Sequence, residues 1–301
     1  MSIKTFWKNS ATNKLIIIVT IFWIVLAVVF GIYDLLISKF LFDPDSTVGN
    51  LVEAFGEIPG LLFIIFSLFV LNTNAKIKNK TGKKLFFVFE ILLSSFSFIY
   101  ILRLIFNYFN IPFKFSSLEG ISVFLGFALV SLIGFYLFKT KLQKFSEKNY
   151  LFAKVSLILF IISGILVEAF KFLWGRVRYE EVINNLGNFT EWYLPQGISG
   201  GNSFPSGHAY VAWIIIPLFL IFLHKNKIHK WIAIILVTLF ALFISYERIV
   251  IGAHYTSDIL FSGGIVIMIF LILYKKYFLN KDKKQRKSAS AKKKTRKNKK
   301  Q

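Results

Sequence analysis

Residues 14–38 read KLIIIVTIFWIVLAVVFGIYDLLIS. A run of 25 residues with so few charges is long enough to cross the hydrocarbon core of a bilayer, which takes about 20 residues of helix. Basic residues precede it, as in a signal peptide. The apolar stretch is longer than a signal peptide's and shows no small-residue cleavage site, so it is expected to be retained as a helix.

Working outward, similar runs recur at 57–74, 85–109, 119–138, 151–174, 208–224, 229–247 and 257–278, giving eight expected spans, the second and sixth of them the shortest. The composition agrees. A chain of 301 residues that is 55% hydrophobic, with mean hydropathy +0.62, lies far outside the range of a soluble domain. Irregular backbone cannot face lipid, so the expected fold is all-α, a polytopic transmembrane helical bundle. Absence of cysteine rules out disulfides, thiolate catalysis and Cys-ligated metals. With four histidines in all (His208, His224, His229 and His254), no metal site and no cofactor is expected.

The formal charge of +22 is concentrated in the basic tail at 279–301, which contains almost nothing apolar. Such a tail is expected to be disordered, cytoplasmic and close to anionic lipid headgroups, with no specific nucleic-acid partner. Basic loops at 76–84, 139–148 and 224–230, together with Lys4, Lys8 and Lys14, fall on one side of an eight-span bundle. The acidic segment 42–57 and the loops 110–118, 175–207 and 248–256 fall on the other. The positive-inside rule then predicts a multi-pass cell-membrane protein with both termini cytoplasmic. Trp7, Trp174, Trp192 and Trp231 stand near span ends, as an aromatic belt would, and Trp23 reads as apolar filling.

Chemistry gathers on the outer side. The segment EAFKFLWGRVRYEE (168–181) carries Lys171 and Arg178 seven residues apart, a spacing that on one helix would point both the same way. The segment FPSGH (204–208) shapes a turn, with Ser206 as a helix N-cap and free N–H groups that suit an anion beside His208. The segment YERIVIGAHYTSDILF (246–261) brings Arg248, then His254, with Asp258 four residues on. A carboxylate behind an imidazole fixes its tautomer and makes the other nitrogen a better nucleophile. Taken singly, each segment also reads blandly, as snorkelling cations, a capped helix, or a helix-start Asp. Taken together they supply three cations, an anion cradle and two histidines, a set suited to a phosphoryl group.

These residues resemble the type 2 phosphatidic acid phosphatase superfamily, whose signature is Lys-x6-Arg-Pro, Pro-Ser-Gly-His and Ser-Arg-x5-His-x3-Asp. Here the three parts are Lys171 to Arg178, Pro205 to His208, and Arg248 to Asp258, with Tyr179 in place of the proline and Glu247 in place of the serine. The resemblance implies that His254 attacks phosphorus, Asp258 orients His254, and His208 protonates the leaving oxygen. It implies that Lys171, Arg178, Arg248, Ser206 and Gly207 hold the phosphoryl oxygens without a metal. It further implies an enzyme acting on a membrane lipid phosphate or diphosphate from the extracytoplasmic face, of the undecaprenyl diphosphate, phosphatidic acid or phosphatidylglycerol phosphate class. The expected organisation is an N-terminal helix pair and loop (1–84), a six-helix phosphatase core (85–278) and the tail. The rival readings are a transporter, to which Glu90, Arg103 and Glu168 inside spans would point, and a lipid-binding member of the fold that has lost catalysis.

Overall fold

The computed structural model describes residues 11–72, 79–112, 118–198, 200–223 and 227–279. Lys4, Trp7, Lys8, His224 and nearly all of the basic tail lie outside the described residues. The long helices are α1 (Ala11–Leu41), α3 (Ile58–Asn72), α4 (Lys80–Tyr108), α5 (Leu118–Thr140), α6 (Gln143–Trp174), α9 (Lys227–Val250) and α10 (Thr256–Tyr274). Shorter ones are α2 (Thr47–Phe55), α7 (Tyr179–Val182) and α8 (Gly207–Trp213), the last followed by a 3₁₀ stretch, Ile216–Phe222. Among the described residues, seven segments are long and apolar enough to cross a membrane, and Gly207–Phe222 is a shorter apolar one. The fold is the all-α polytopic bundle that the hydropathy predicts.

Several boundaries differ from expectation. The acidic loop at 42–57 is largely helix: Ser46 caps α2, its Oγ accepting from the Gly49 N–H at 3.1 Å. The second span therefore begins about ten residues early and carries its acids inward. The basic loop at 139–148 is also mostly helix, because Gln143, Lys144, Glu147 and Lys148 are good helix formers and extend α6 toward its N-terminus. The sixth span is broken. Pro217 has no N–H to give a regular helix, so α8 gives way to the tighter 3₁₀ turns. Ala209, Ala212 and Ile214 are fully buried there, so the irregular backbone is sheltered by protein and not by lipid.

Helices α3, α6, α8, α9 and α10 form the centre, with Ile64, Leu68, Phe152, Leu159, Ile214, Val237 and Val266 in one core. Helix α1 lies along α10, and α4 and α5 pair on the far flank of α3. Only 6% of the most apolar part of α1 is buried, against 61% for α2 with α3, so α1 presents most of its surface to the bilayer. Trp23 does more than fill space: its indole N–H donates to the Leu260 carbonyl at 3.2 Å and pins α1 to α10.

The N-terminal helices also meet α8 directly. At Gly60 of α3 an added Cβ would stand 2.3 Å from the Val211 carbonyl oxygen of α8. Backbone cannot yield as a side-chain tip can. Gly60→Ala is expected to destabilise the folded chain by about 1–3 kcal/mol, read as a lower midpoint of thermal unfolding in detergent. An unchanged midpoint would show that α3 and α8 do not pack this closely.

Candidate active site

Helix α6 ends where Gly175 turns into the left-handed region, φ 52°, its N–H returning to the Lys171 carbonyl at 3.2 Å. Lys171 and Arg178 are thus not on one helix face, as their spacing suggested. Lys171 is in the last turn of α6, and Arg178 lies beyond the turn at the head of α7. The chain nevertheless returns both to the same region. Lys171 Nζ is 3.2 Å from the position of a Cβ on Gly207, so only a glycine leaves this approach free. Arg178 pairs with Glu180 at 3.0 Å at the outer edge.

Ser206 is the N-cap of α8, its Oγ accepting from the Ala209 N–H at 3.3 Å. Its N–H donates to the Asp258 carbonyl at 3.2 Å, and Ser262 Oγ donates to its carbonyl at 2.7 Å. The Pro-Ser-Gly-His turn is therefore bolted to α10. Between α9 and α10, Gly252 adopts φ 75°, and an added Cβ would meet the Phe42 ring at 2.6 Å. That tight turn directs His254 inward, its N–H bonded to the Arg248 carbonyl at 3.1 Å.

His254 is 3% exposed. Its Nδ1 lies 2.6 Å from the Ser203 carbonyl oxygen and 3.7 Å from Asp258 Oδ2. A carbonyl only accepts, so Nδ1 carries the proton and the lone pair of the neutral ring is on Nε2. Burial pushes the imidazole pKa down to about 4. The Asp258 contact opposes this, while the Arg248 charge, and more weakly that of Arg178, add to it. At neutral pH His254 is an uncharged base.

Asp258 is engaged elsewhere as well. Its Oδ2 accepts from Ser203 Oγ at 2.5 Å and from the Tyr255 N–H at 2.8 Å, and its Oδ1 pairs with Arg176 at 2.6 Å. The carboxylate thus caps α10 and holds Ser203, whose carbonyl in turn holds His254. Arg176, unmarked by the sequence reading, is 1% exposed. It bridges Asp258 to Asp34 of α1 at 3.0 Å, donates to the Thr190 carbonyl at 2.8 Å and lies over the Tyr255 ring at 4.0 Å. Asp34 also accepts from Thr256 Oγ1 at 2.6 Å, from the Ser257 N–H at 2.9 Å and from Ser257 Oγ.

Arg248 is 1% exposed, and its Nε and Nη1 have no hydrogen-bond partner. Its Nη2 lies 3.4 Å from Glu53 of α2. The carboxylate that meets Arg248 is Glu53, from a different helix. His208 sits beside this pair, with Nδ1 3.2 Å from Glu57 and Nε2 3.0 Å from the Glu53 carbonyl oxygen. Tyr100 of α4 donates to the other Glu57 oxygen at 2.8 Å. Tyr179, the departure from the proline, is buried and packs edge-on against Phe42 at 5.1 Å between ring centres. Among the described residues, no cluster of three or more His, Asp or Glu side chains is placed to hold a metal ion.

Residues 149–282 match the sequence model of the PAP2 superfamily. The match covers a little under half of the chain. No curated protein and no solved structure matches the chain. The PAP2 segment runs from α6 through α10 and contains Lys171, Arg178, Ser206, Gly207, His208, Arg248, His254 and Asp258. It also contains Arg176 and Ser203. Asp34, Glu53, Glu57 and Tyr100 stand outside it, on α1, α2, the α2–α3 turn and α4. A lone Asp in an apolar span was the one available signal for Asp34, since such residues are rare unless paired.

Removing Arg176 leaves two buried carboxylates unpaired. Arg176→Ala is expected to cost about 3–5 kcal/mol of stability. The paired change Arg176→Met with Asp34→Asn, which removes two opposite charges together, is expected to recover part of that loss. Thermal unfolding of the single and double variants in detergent checks both. Equal losses would mean that the bridge does not couple α1 to the site.

Proposed function

We propose that the chain is an integral membrane phosphatase that hydrolyses a lipid phosphomonoester or diphosphate through a phosphohistidine at His254. The observation that carries this reading is the pair of unpartnered guanidinium N–H groups of buried Arg248 beside a neutral His254. Burying such donors is costly, and a phosphoryl oxygen satisfies them. The match of residues 149–282 to the PAP2 superfamily supports the same reaction class.

In the first step His254 Nε2 attacks phosphorus, the N–P bond forms, and the bond to the leaving oxygen breaks. Lys171, Arg178 and Arg248 neutralise the charge spread over the equatorial oxygens. The Gly207 backbone, at the capped start of α8, adds N–H dipoles. His208 delivers a proton to the leaving oxygen, then takes one from the water that attacks phosphorus and breaks the N–P bond. Asp258 keeps His254 oriented, partly through Ser203. For His208 to act through Nε2, that nitrogen must leave the Glu53 carbonyl.

A lipid substrate is supported by the depth of these groups at helix ends in a membrane bundle. An apolar cavity of about 270 Å³ between α1 and α10, lined by Trp23, Leu166, Gly264 and Met268, offers room for part of a chain. The loop charges favour an extracytoplasmic site and cytoplasmic termini in the cell membrane. That side fits recycling of a carrier-lipid diphosphate such as undecaprenyl diphosphate. Phosphatidic acid, phosphatidylglycerol phosphate and diacylglycerol diphosphate remain in the same chemical class.

The test is phosphate release by the purified chain in lipid–detergent micelles containing EDTA, with undecaprenyl diphosphate, phosphatidic acid and phosphatidylglycerol phosphate in parallel. Release is expected to survive EDTA, to be inhibited by vanadate and to fall by orders of magnitude in His254→Ala and in His208→Ala. Folded protein that releases no phosphate from any of the lipids sinks the proposal. The pH profile adds a second check. Protonation removes the nucleophile, and the His254 pKa is about 4, so kcat/KM is expected to lose its His254-dependent activity only as pH falls toward that value. An acid limb centred near pH 6.5, the ordinary histidine value, would contradict the buried neutral ring.

A further inference from the structure

At the end of the bundle away from the proposed catalytic groups there is a second cavity, of about 590 Å³, between the C-terminus of α3, the first turns of α4 and the last turns of α5. Its location follows from the helices. Glu57 and Tyr100 bring the start of α3 and the later part of α4 to the catalytic end, whereas Asn72 ends α3 and Lys83 begins α4. Helix α3 has 15 residues and so separates the two ends by about 20 Å.

Glu90 lines this cavity and is fully buried. Its Oε2 accepts from Asn72 Nδ2 at 2.5 Å, while its Oε1 has no hydrogen-bond partner. A carboxyl group at this depth with one oxygen unpaired is held at least cost as the neutral acid, whose O–H then needs an acceptor. Lys83 and Lys139 line the same cavity and are exposed, and Phe87 and Tyr136 supply apolar wall. Lys83 lies two turns nearer the helix end than Glu90.

We propose that this cavity binds a diacyl phospholipid with an anionic headgroup, drawn from the leaflet opposite the catalytic site. The order of groups with depth is that of the lipid. Phosphate lies outermost and meets Lys83 and Lys139. An ester carbonyl lies deeper and accepts from the Glu90 O–H. The acyl chains continue along the aromatic wall of α4 and α5 into the bilayer. Basic pockets between membrane helices are a recurrent way of holding anionic lipid heads, and the volume lies within the range of small-ligand sites. The proposal does not depend on the phosphatase reading, because its test reads binding alone.

The experiment is native mass spectrometry of the full chain titrated with phosphatidylglycerol, with phosphatidylcholine and with soluble glycerol phosphate. The wild type is expected to take a first phosphatidylglycerol at least tenfold more tightly than phosphatidylcholine, and glycerol phosphate is expected not to compete. The exposed pair Lys83→Ala with Lys139→Ala is expected to remove that preference. Glu90→Gln, which keeps an N–H donor, is expected to retain binding, and Glu90→Leu is expected to weaken both lipids. Should Glu90→Leu not fold, the lysine pair and Glu90→Gln still decide. Equal phosphatidylglycerol binding by wild type and the lysine pair overturns the proposal. Full competition by glycerol phosphate also overturns it, in favour of a simple anion site.

Discussion

The guanidinium of Arg176 stands between Asp34 of the first helix and Asp258 of the last, with all three side chains buried. Two carboxylates so close repel each other, and the cation between them offsets that repulsion. The cation is fixed in turn by the Thr190 carbonyl and the Tyr255 ring, so the loop after α6 is folded over it. From this bridge the rest of the site can be built. Asp258 ionised holds Ser203 and caps α10. Ser203 holds the Nδ1 proton of His254. Buried ion pairs are weak evidence of stability, because desolvation offsets much of the attraction. Their use here is geometric, in that the bridge fixes α1, the 175–203 loop and α10 in one register.

A second consequence concerns charge. His254 is surrounded by cations, Arg248 and Arg178 among them, and remains neutral because imidazolium is disfavoured both by burial and by those charges. The same cations attract an anion. A site that repels a proton from its nucleophile while drawing in a phosphoryl group needs no separate base to activate the imidazole. At 3.7 Å Asp258 gives the ring less than a direct hydrogen bond, and the Ser203 carbonyl at 2.6 Å fixes the tautomer without adding a charge.

The sequence was most legible where chemistry is written in local spacing. The apolar runs gave the bundle, and Pro205 to His208 and Arg248 to Asp258 gave the two turns. Ser206 is the N-cap its position announced. Seven residues make nearly two helical turns, so the spacing of Lys171 and Arg178 suggests one helix face, but Gly175 between them ends that helix. Glu53 and Glu57 are invisible to local spacing for a different reason, and Asp34 is marked only by its place in an apolar span. Each acts across more than 140 residues of sequence on Arg176, Arg248 or His208, and no periodicity reports contacts of that range. The broken sixth span shows the same limit. Hydropathy sees its length, while the burial that shelters its 3₁₀ turns depends on α3, α6 and α10 around it.

The two N-terminal spans therefore are not an appendage beside a self-sufficient site. Helix α1 supplies Asp34, and the α2–α3 unit supplies Glu53 and Glu57 to the cations and the histidine that a phosphate would meet. Glu57 is fixed at both oxygens, by His208 and Tyr100, and reads as a permanent partner. Glu53 is different. Its side chain is 49% exposed and reaches only one nitrogen of Arg248 at 3.4 Å, leaving Nε and Nη1 unpartnered. A carboxylate in that position offsets part of the arginine charge without meeting its hydrogen-bonding capacity. A phosphoryl group, with more oxygens and more charge, would make the bonds that Glu53 leaves unmade, which is why the half-exposed carboxylate, and not buried Glu57, is the partner that an incoming anion can replace.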